Sequence, residues 1–168
     1  ENDLFVLRAD GGVFEYVGSL QRIGLGEQVQ SVRFAGDRLL ITTFRTIDPL
    51  LVVDLGQPTA PQLLGHVTLP GFSSYMQWID RDHILAVGRS SAAAWIGPTQ
   101  VSLFDVSDLL HPRLIDLYTM PRLASSLAES DHHAFGWFPE HQLLALPSSR
   151  TVRVRIDRDG DGVRESAE

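Results

Sequence analysis

Short runs of apolar residues, separated by Gly, Pro and Asp, follow one another along almost the whole chain. Such runs predict β-strands, because strands are short and turns need residues with special backbone preferences. At the N-terminus, Leu4–Leu7 and Val13–Val17 flank Asp10-Gly11-Gly12, which is typical of a tight hairpin. Helical periodicity is indicated only at 122–129, which we interpret as a loop insertion. The predicted strands are 4–7, 13–17, 29–34, 38–44, 50–54, 63–69, 75–79, 83–88, 100–105, 113–118, 133–138, 142–146 and 151–157.

Two of these regions are versions of one another. The segment 51–70 contains Asp54, Pro61 and Pro70, and the segment 102–121 contains Asp105, Pro112 and Pro121, each 51 positions further along. An internal repeat of about this length indicates a modular fold. Four short antiparallel strands in each repeat are typical of the blades of a β-propeller.

We therefore predict an all-β fold, a partial β-propeller of about three four-stranded antiparallel blades. The predicted units are a hairpin at 4–20, blades at 29–70 and 72–121, and a partial blade at 132–168. A β-sandwich with two similar hairpins is the alternative. Because a closed propeller needs about 4–8 blades, we expect a fragment of a longer ring, or a ring that closes by oligomerising.

Composition narrows the class of protein. The formal net charge is −7, which argues against binding along a nucleic-acid backbone. All 14 basic side chains apart from histidine are arginines. The absence of cysteine excludes disulfides, thiolate metal sites and a cysteine nucleophile. No apolar run is long enough to span a membrane, and a chain that begins with Glu1 instead of Met is expected to be a processed protein or a piece of a longer one.

Several motifs, in order, resemble a known family: the bacterial and archaeal secreted C-terminal β-propeller domains, which are distant relatives of WD40 repeats. The resemblance covers about residues 4–147 and becomes thin over 153–168. It implies a propeller and an exported location, secreted, periplasmic or at the cell surface, and it implies no reaction. The motifs that carry it are Ser31–Arg38, Thr43–Leu50, Val53–Leu55, Leu69–Ser73, Ser102–Asp108, Asp131-His132 and Ala134-Phe135.

The C-terminal segment carries the sharpest chemical motif. Residues 157–168 match D-x-D-x-D-G-x₅-E, the pattern of a calcium loop. Ca²⁺ prefers about 6–8 oxygen ligands, and Gly162 permits the sharp turn that such a loop needs. The predicted Ca²⁺ ligands are Asp157, Asp159, Asp161, the carbonyl of Val163, Glu165 and Glu168.

The surroundings of this motif favour a second interpretation. An EF-hand needs flanking helices, whereas residues 151–156 alternate Val or Ile with Thr or Arg like a strand. The segment also resembles the N-terminal hairpin around Asp10-Gly11-Gly12. The Asp and Gly residues would then serve only a hairpin turn. Calcium loop and plain turn stay open as alternatives.

The other candidate residues favour structural roles. We place Asp131-His132-His133 at the entry to a strand, where adjacent side chains point to opposite faces, so we expect no shared metal ion. By the resemblance, His132 joins a structural hydrogen-bond network. We expect Asp48, Asp54, Asp105 and Asp108 to cap turns. The serine pairs at 73–74, 90–91, 125–126 and 148–149 are expected in loops, Trp78 and Trp137 in packing, and Trp95 exposed in a loop at 90–99.

These observations predict a non-catalytic extracellular binding or scaffold module, stabilised by Ca²⁺ through the C-terminal loop. Its partner would be a protein or a cell-surface polymer, not nucleic acid. No catalytic residue is predicted. The alternative is a polymer-active hydrolase or lyase whose active site lies in further blades, and fold alone does not choose between these functions.

Overall fold

The computed structural model describes residues 1–44, 48–69, 71–92, 95–121, 124–150, 154–156 and 163–165. These residues form short antiparallel strands joined by turns and by single-turn 3-10 helices, so the prediction of an all-β fold is confirmed. Within them, no helix has the length and apolar character needed to cross a membrane. The strands are β1 (Asn2–Asp10), β2 (Val13–Ile23), β3 (Gln28–Ala35), β4 (Arg38–Phe44), β5 (Asp48–Asp54), β6 (Gln62–Leu69), β7 (Phe72–Trp78), β8 (His83–Ala92), β9 (Trp95–Asp105), β10 (Arg113–Thr119), β11 (Ala124–Ser126), β12 (Gly136–Phe138), β13 (Leu143–Ala145), β14 (Ser148–Arg150), β15 (Val154–Ile156) and β16 (Val163–Glu165).

Two four-stranded sheets form the centre of the molecule. One contains β3–β6 and the other β7–β10, and in each the strands neighbour one another in chain order. β1 and β2 form a separate hairpin before them, and its turn uses Gly11 and Gly12 at φ values of 57° and 87°. Positive φ is readily adopted only by glycine, so the sequence Asp10-Gly11-Gly12 determines this turn locally.

The first sheet is buried on both faces. Leu39, Ile41 and Val53 pack toward the β1–β2 hairpin together with Ile23. Leu40 lies on the opposite face, in a second core shared with the second sheet, because successive strand residues point to opposite faces. The buried members of that second core are Leu40, Leu50, Val52, Leu69, Met76, Ile84, Ala86, Phe104 and Val106. A sheet with two apolar faces cannot be stable alone, and stacking on its neighbours buries both.

The same irregularity recurs on the outer strand of each unit. The pairings of β1 with β2, β5 with β6 and β9 with β10 share a register shift that skips a single residue on the second strand: Val17, Leu64 and Ile115. Each is a β-bulge, which bends the strand and increases its twist. The residues that follow these three bulges are Gly18, Gly65 and Asp116. The repeat in the sequence is therefore accompanied by a repeat in strand register, because the bulge lies at an equivalent place in each unit.

The glycines after the first two bulges allow neighbouring units to come close together. A Cβ at Gly18 would lie 2.5 Å from the carbonyl oxygen of Pro58, in the turn between β5 and β6. A Cβ at Gly65 would lie 2.5 Å from the carbonyl oxygen of Leu109, in the turn between β9 and β10. Since backbone atoms occupy the side-chain positions, only glycine fits in either place.

The region after β10 departs from the predicted strands. The segment predicted as a loop insertion contains β11, which pairs with β14, followed by a 3-10 turn at Leu127–Glu129. The strand predicted at 133–138 was wrong in its first half, because His132–Ala134 form a 3-10 turn capped by Asp131 and only β12 is extended. The loop expected at 90–99 was also wrong, since β8 and β9 continue their pairing as far as Ala92 and Trp95.

Candidate functional site

A cleft of about 420 Å³ lies where the first strands of the two central sheets meet the region that follows β10. Its walls come from Gln30–Arg33 of β3, Ser74 and Tyr75 of β7, Ala128–Ser130, and His132. This volume lies within the range of small-ligand pockets. The cleft therefore combines residues from three parts of the chain that are far apart in sequence.

Both strands that line the cleft are bulged at the cleft itself. The register of β3 with β4 skips Gln30, and that of β7 with β8 skips Ser74. A bulge redirects a side chain away from regular alternation and is common beside binding sites. Buried Thr42, on β4, ties the first sheet to β7 by donating its hydroxyl proton to the carbonyl of Ser73 at 3.0 Å.

Arg33 is the cation of the cleft, and its position is fixed by three contacts. Its Nε donates to the carbonyl oxygen of Met76, and its Nη1 donates to that of Val32 at 2.9 Å. Its guanidinium lies 4.4 Å from the ring centroid of Tyr75, a cation–π contact. Tyr75 is held in turn, because its ring packs against Phe135 at 5.1 Å and its hydroxyl donates to Gln77.

Glu129 is the cleft's carboxylate, and it holds the Leu127–Glu129 turn against the second sheet. Its two oxygens accept from Arg89 Nε and from the Thr99 hydroxyl, and one of them also accepts from the Ser126 backbone N–H. Ser126 and Glu129 form a capping box. The motif Ser-x-x-Glu was visible in the sequence and could have identified this turn. With its oxygens engaged in this way, Glu129 acts as a structural anchor.

Three further chemistry-bearing side chains lie together at the rim of the cleft. Asp131 Oδ1 accepts from the His133 backbone N–H at 2.9 Å and lies 3.1 Å from His133 Nδ1. These contacts lower the pKa of the Asp131 carboxyl, the backbone hydrogen bond most of all. The rings of His132 and His133 have centroids 3.9 Å apart. The expectation that these two side chains point to opposite faces was wrong, because a 3-10 turn does not alternate as a strand does.

Comparison with known proteins identifies the fold family. A model of the β-propeller domain family matches residues 1–165. The chain belongs to this β-propeller domain family. The match covers both central sheets and the hairpins on either side of them, and it confirms the predicted propeller over the sandwich alternative.

The relatives of this β-propeller chain are archaeal proteins without a described function. An uncharacterised protein of Archaeoglobus fulgidus is 39% identical over 160 residues, which are 95% of this chain and 24% of that protein. An uncharacterised protein of Methanocaldococcus jannaschii is 35% identical over 147 residues, 88% of this chain and 22% of that protein. The chain thus spans about a quarter of the length of the curated relatives it matches. No solved structure matches it at a significant level.

The predicted turn-capping aspartates lie where the propeller sheets turn. Asp54 accepts from the Gly56 N–H at 2.7 Å, and Asp105, its counterpart in the repeat, accepts from the Ser107 N–H at 2.9 Å. Asp108 accepts in the same way from Leu110 at 3.0 Å. The Ser107 hydroxyl and N–H, with Arg113, lower the pKa of Asp105 strongly. Asp54, Asp105 and Asp108 therefore cap turns as predicted, whereas the side chain of Asp48 lies outside the described part of the structure.

The serine pairs expected in loops lie instead in β7, β8, β11 and β14, so that expectation was wrong. Ser125 and Ser149, expected in loops, lie opposite each other in β11 and β14 with their hydroxyl oxygens 3.0 Å apart. Trp78 packs against the core between the central sheets, as expected. Its indole nitrogen and that of Trp137 are buried and find no acceptor among the described residues. The side chain of Trp95 lies outside the described part, so its predicted exposure stays a prediction.

The predicted calcium loop lies mostly outside the described residues. Asp157, Asp159, Asp161 and Glu168 fall there, and for Val163 and Glu165 only the backbone is described. The strands on either side of the loop, β15 and β16, pair antiparallel with Ile156 opposite Val163. The flanks are thus strands, as the sequence indicated, and both the turn and the calcium interpretation place the loop at the tip of a hairpin.

Proposed function

We propose that this β-propeller chain is part of a non-catalytic extracellular binding and scaffold module whose partner binds in the cleft between β3 and β7. The observation that carries the proposal is the position of Arg33, a cation that protein contacts hold in place in the polar wall of the cleft. Arg33 lies over Tyr75, and the polar residues Gln30, Ser31 and Ser74 also line the cleft. A few convergent polar groups of this kind set the orientation of a ligand.

The chemistry of Arg33 indicates what the partner offers. A guanidinium has five N–H donors in a planar fork, and the contacts to Met76 and Val32 use two of them. The remaining donors suit carboxylate oxygens, which a guanidinium binds in pairs. Since the cation is already held in place, binding loses little side-chain entropy. An acidic segment of a protein or of a cell-surface polymer matches these donors.

Fluorescence-polarisation titration of the longer protein tests this proposal. The probes are a labelled oligogalacturonate and a labelled glutamate-rich peptide. Arg33→Ala should weaken binding about tenfold, equivalent to about 1.4 kcal/mol. Arg81→Ala is the matched control, because Arg81 is 84% exposed and lies outside the cleft. Equal loss in both variants, or no dependence on Arg33, would contradict the proposal.

We further propose that the C-terminal loop stabilises the module by binding Ca²⁺ through Asp157, Asp159, Asp161, Val163, Glu165 and Glu168. Support comes from the paired strands β15 and β16, which bring the two ends of the loop together. Carboxylates crowded at one hairpin tip repel one another, and a divalent cation relieves that repulsion.

The repeat in register adds support from a described residue. Gly18 and Gly65, after the first two bulges, each contact the turn of the following hairpin. Asp116 occupies the position after the third bulge. In the unit that follows, the antiparallel hairpin β15–β16 has the same order of strand, Asp/Gly turn and strand. By the same register, the Asp116 carboxylate would face the Asp-rich loop. An aspartate at this position, where the other two units have glycine, would add a carboxylate oxygen for a cation held by that loop.

Calorimetry with CaCl₂ on the longer protein tests the calcium proposal. We expect binding heat that Asp159→Asn abolishes and Asp116→Gly weakens. Asp108→Asn serves as the control, because Asp108 caps a turn elsewhere. No heat with Ca²⁺ would refute calcium binding, whereas heat that Asp116→Gly leaves unchanged would restrict the site to the loop.

We also propose that the protein is exported to the cell surface, the periplasm or the medium. The proposal rests on the resemblance to secreted β-propeller domains. Protease treatment of intact cells, followed by detection of the chain, tests it. We expect the chain in the medium, or its digestion in intact cells or in cells with only the outer envelope opened, and protection until the cytoplasmic membrane is lysed would contradict the proposal.

A further inference from the structure

A cluster of three metal-ligating side chains lies at the rim of the cleft, outside the contacts that hold Arg33. Asp131, His132 and His133 each offer one ligand atom, and the three atoms lie within 4.8 Å of one another. The side chain of His133 is 81% exposed and that of Asp131 45%, and His132 is also exposed. Such side chains can change rotamer freely, so the cluster can adjust around an ion.

The local backbone explains why two adjacent histidines come together. In a strand their rings would point to opposite faces, but the 3-10 turn at His132–Ala134 places both rings on one side, with centroids 3.9 Å apart. Asp131 fixes this turn by accepting from the His133 N–H at 2.9 Å. The arrangement therefore depends on the capped turn and is not random surface proximity.

The contact between Asp131 and His133 is one that a metal ion can replace. His133 Nδ1 lies 3.1 Å from Asp131 Oδ1, and a divalent ion that displaces the proton between them can bind both atoms. The His132 carbonyl accepts from the Phe135 N–H. The His132 ring makes no hydrogen bond with another described residue, so its nitrogens are available as well.

We propose that Asp131, His132 and His133 bind a divalent transition-metal ion, with Zn²⁺ as the representative. Imidazole nitrogen and carboxylate oxygen bind Zn²⁺ at about 2.0–2.2 Å, so ligand atoms now within 4.8 Å can reach one ion by rotation of the two tilted rings. The ion would keep open positions toward solvent and the cleft, because His132 lines the cleft. This site is separate from the proposed calcium loop, since Ca²⁺ prefers oxygen ligands.

The chain supplies a matched control in another Asp–His pair. His111 Nδ1 lies 2.9 Å from Asp108 Oδ2, and the His111 side chain is 79% exposed. That pair has the same carboxylate contact and similar exposure but only one imidazole. If two imidazoles are needed, only the cluster at 131–133 binds the ion.

The test is calorimetric titration of ZnCl₂ into the longer protein, with CaCl₂ present throughout to occupy carboxylate sites. We expect one site, at least tenfold weaker in His132→Gln and in His133→Gln. Asp131→Asn should weaken it at least tenfold, because it removes the charged ligand. His111→Gln should leave affinity unchanged.

A spectroscopic readout distinguishes ligation from a structural effect. Co²⁺ bound by two imidazoles and a carboxylate gives visible d–d absorption, which should disappear in the His132→Gln, His133→Gln double variant while the thermal midpoint without metal stays unchanged. Zn²⁺ affinity retained in that double variant would overturn the proposal, as would absence of binding at millimolar Zn²⁺.

Discussion

One β-bulge lies on β6, at the junction between the two central sheets, and an equivalent bulge lies on β10, the outer strand of the second sheet. The residue that follows the bulge differs between these two places. At the junction, Gly65 follows the bulge and the turn at Leu109 and Leu110 lies against its backbone. At the outer strand, Asp116 takes that position, is exposed, and accepts a hydrogen bond from the Leu117 N–H at 2.8 Å. Glycine is thus required after the bulge where the two sheets pack together, whereas β10 accommodates the charged side chain of Asp116 at the same position.

The largest effect should come from the core of the built junction. Phe104 is fully buried between the two sheets, whereas Phe34 is 59% exposed. Phe104→Ala should lower the free energy of unfolding by about 3–5 kcal/mol, because it leaves a cavity. Phe34→Ala should change it by no more than about 0.5 kcal/mol. Chemical denaturation of both variants measures the difference, and similar losses would show that the sheets do not share this core.

Gly65 and Asp116 test the comparison directly. A Cβ at Gly65 would lie 2.5 Å from the Leu109 carbonyl oxygen, so Gly65→Ala forces the two backbones apart. We expect a loss of about 1–3 kcal/mol, the usual cost of overpacking. Asp116→Ala, measured in the same denaturation experiment without Ca²⁺, should be close to neutral. A harmless Gly65→Ala would mean that the close approach at the junction is absent in solution.

The turn that Asp105 caps, next to the junction, should make the free energy of unfolding depend on pH in the acid range. Hydrogen bonds from Ser107, with the contribution of Arg113, lower the pKa of Asp105 in the folded protein below its unfolded value of about 3.9. The stabilisation is therefore fully present above about pH 4 and is lost as the pH falls below that value. Urea denaturation at several pH values should show a steeper acid loss for the natural chain than for Asp105→Asn. Parallel curves would contradict this assignment.

The smallest effect is expected at the opposite end of the molecule, on the outer face of the β1–β2 hairpin. Phe14 is 74% exposed there, beside Tyr16, Leu7 and Phe5. Phe14→Ser should change the free energy of unfolding by no more than about 0.5 kcal/mol. Leu4→Ser, on the face that packs against the first sheet, should cost more. Equal costs would show that another surface covers the outer face in solution.

The sequence alone predicted the strands of the two central sheets because their information is local. Apolar alternation, Gly-rich turns and aspartates that accept from the backbone two residues later act within a few residues. The repeat of Asp54 at Asp105 is thus both a sequence match and a pair of equivalent turns. The capping box at Ser126 and Glu129 is also a local pattern. It lies in the segment predicted as a loop insertion, where the short strand β11 forms only by pairing with β14, later in the chain.

The cleft could not be predicted, because its residues come together only when three regions stack. Arg33 gains its role from Met76 and Tyr75, more than 40 positions away, and Glu129 gains its role from Arg89 and Thr99. No local pattern encodes such contacts. The histidine pair was misjudged for a related reason: a strand and a 3-10 turn differ by a few backbone torsions, and those reverse the direction of one ring.

The sequence by itself determined most strands of the two central sheets, the turns that aspartate and glycine form there, and the propeller fold, since all three depend on local periodicity and on a repeat of fixed length. Only the tertiary structure decided which glycines mark junctions, where the cation of the cleft lies, and that Asp131, His132 and His133 face one point. The reason is physical: stacking buries both faces of a sheet and fixes the distances between distant residues, and binding chemistry depends on those distances.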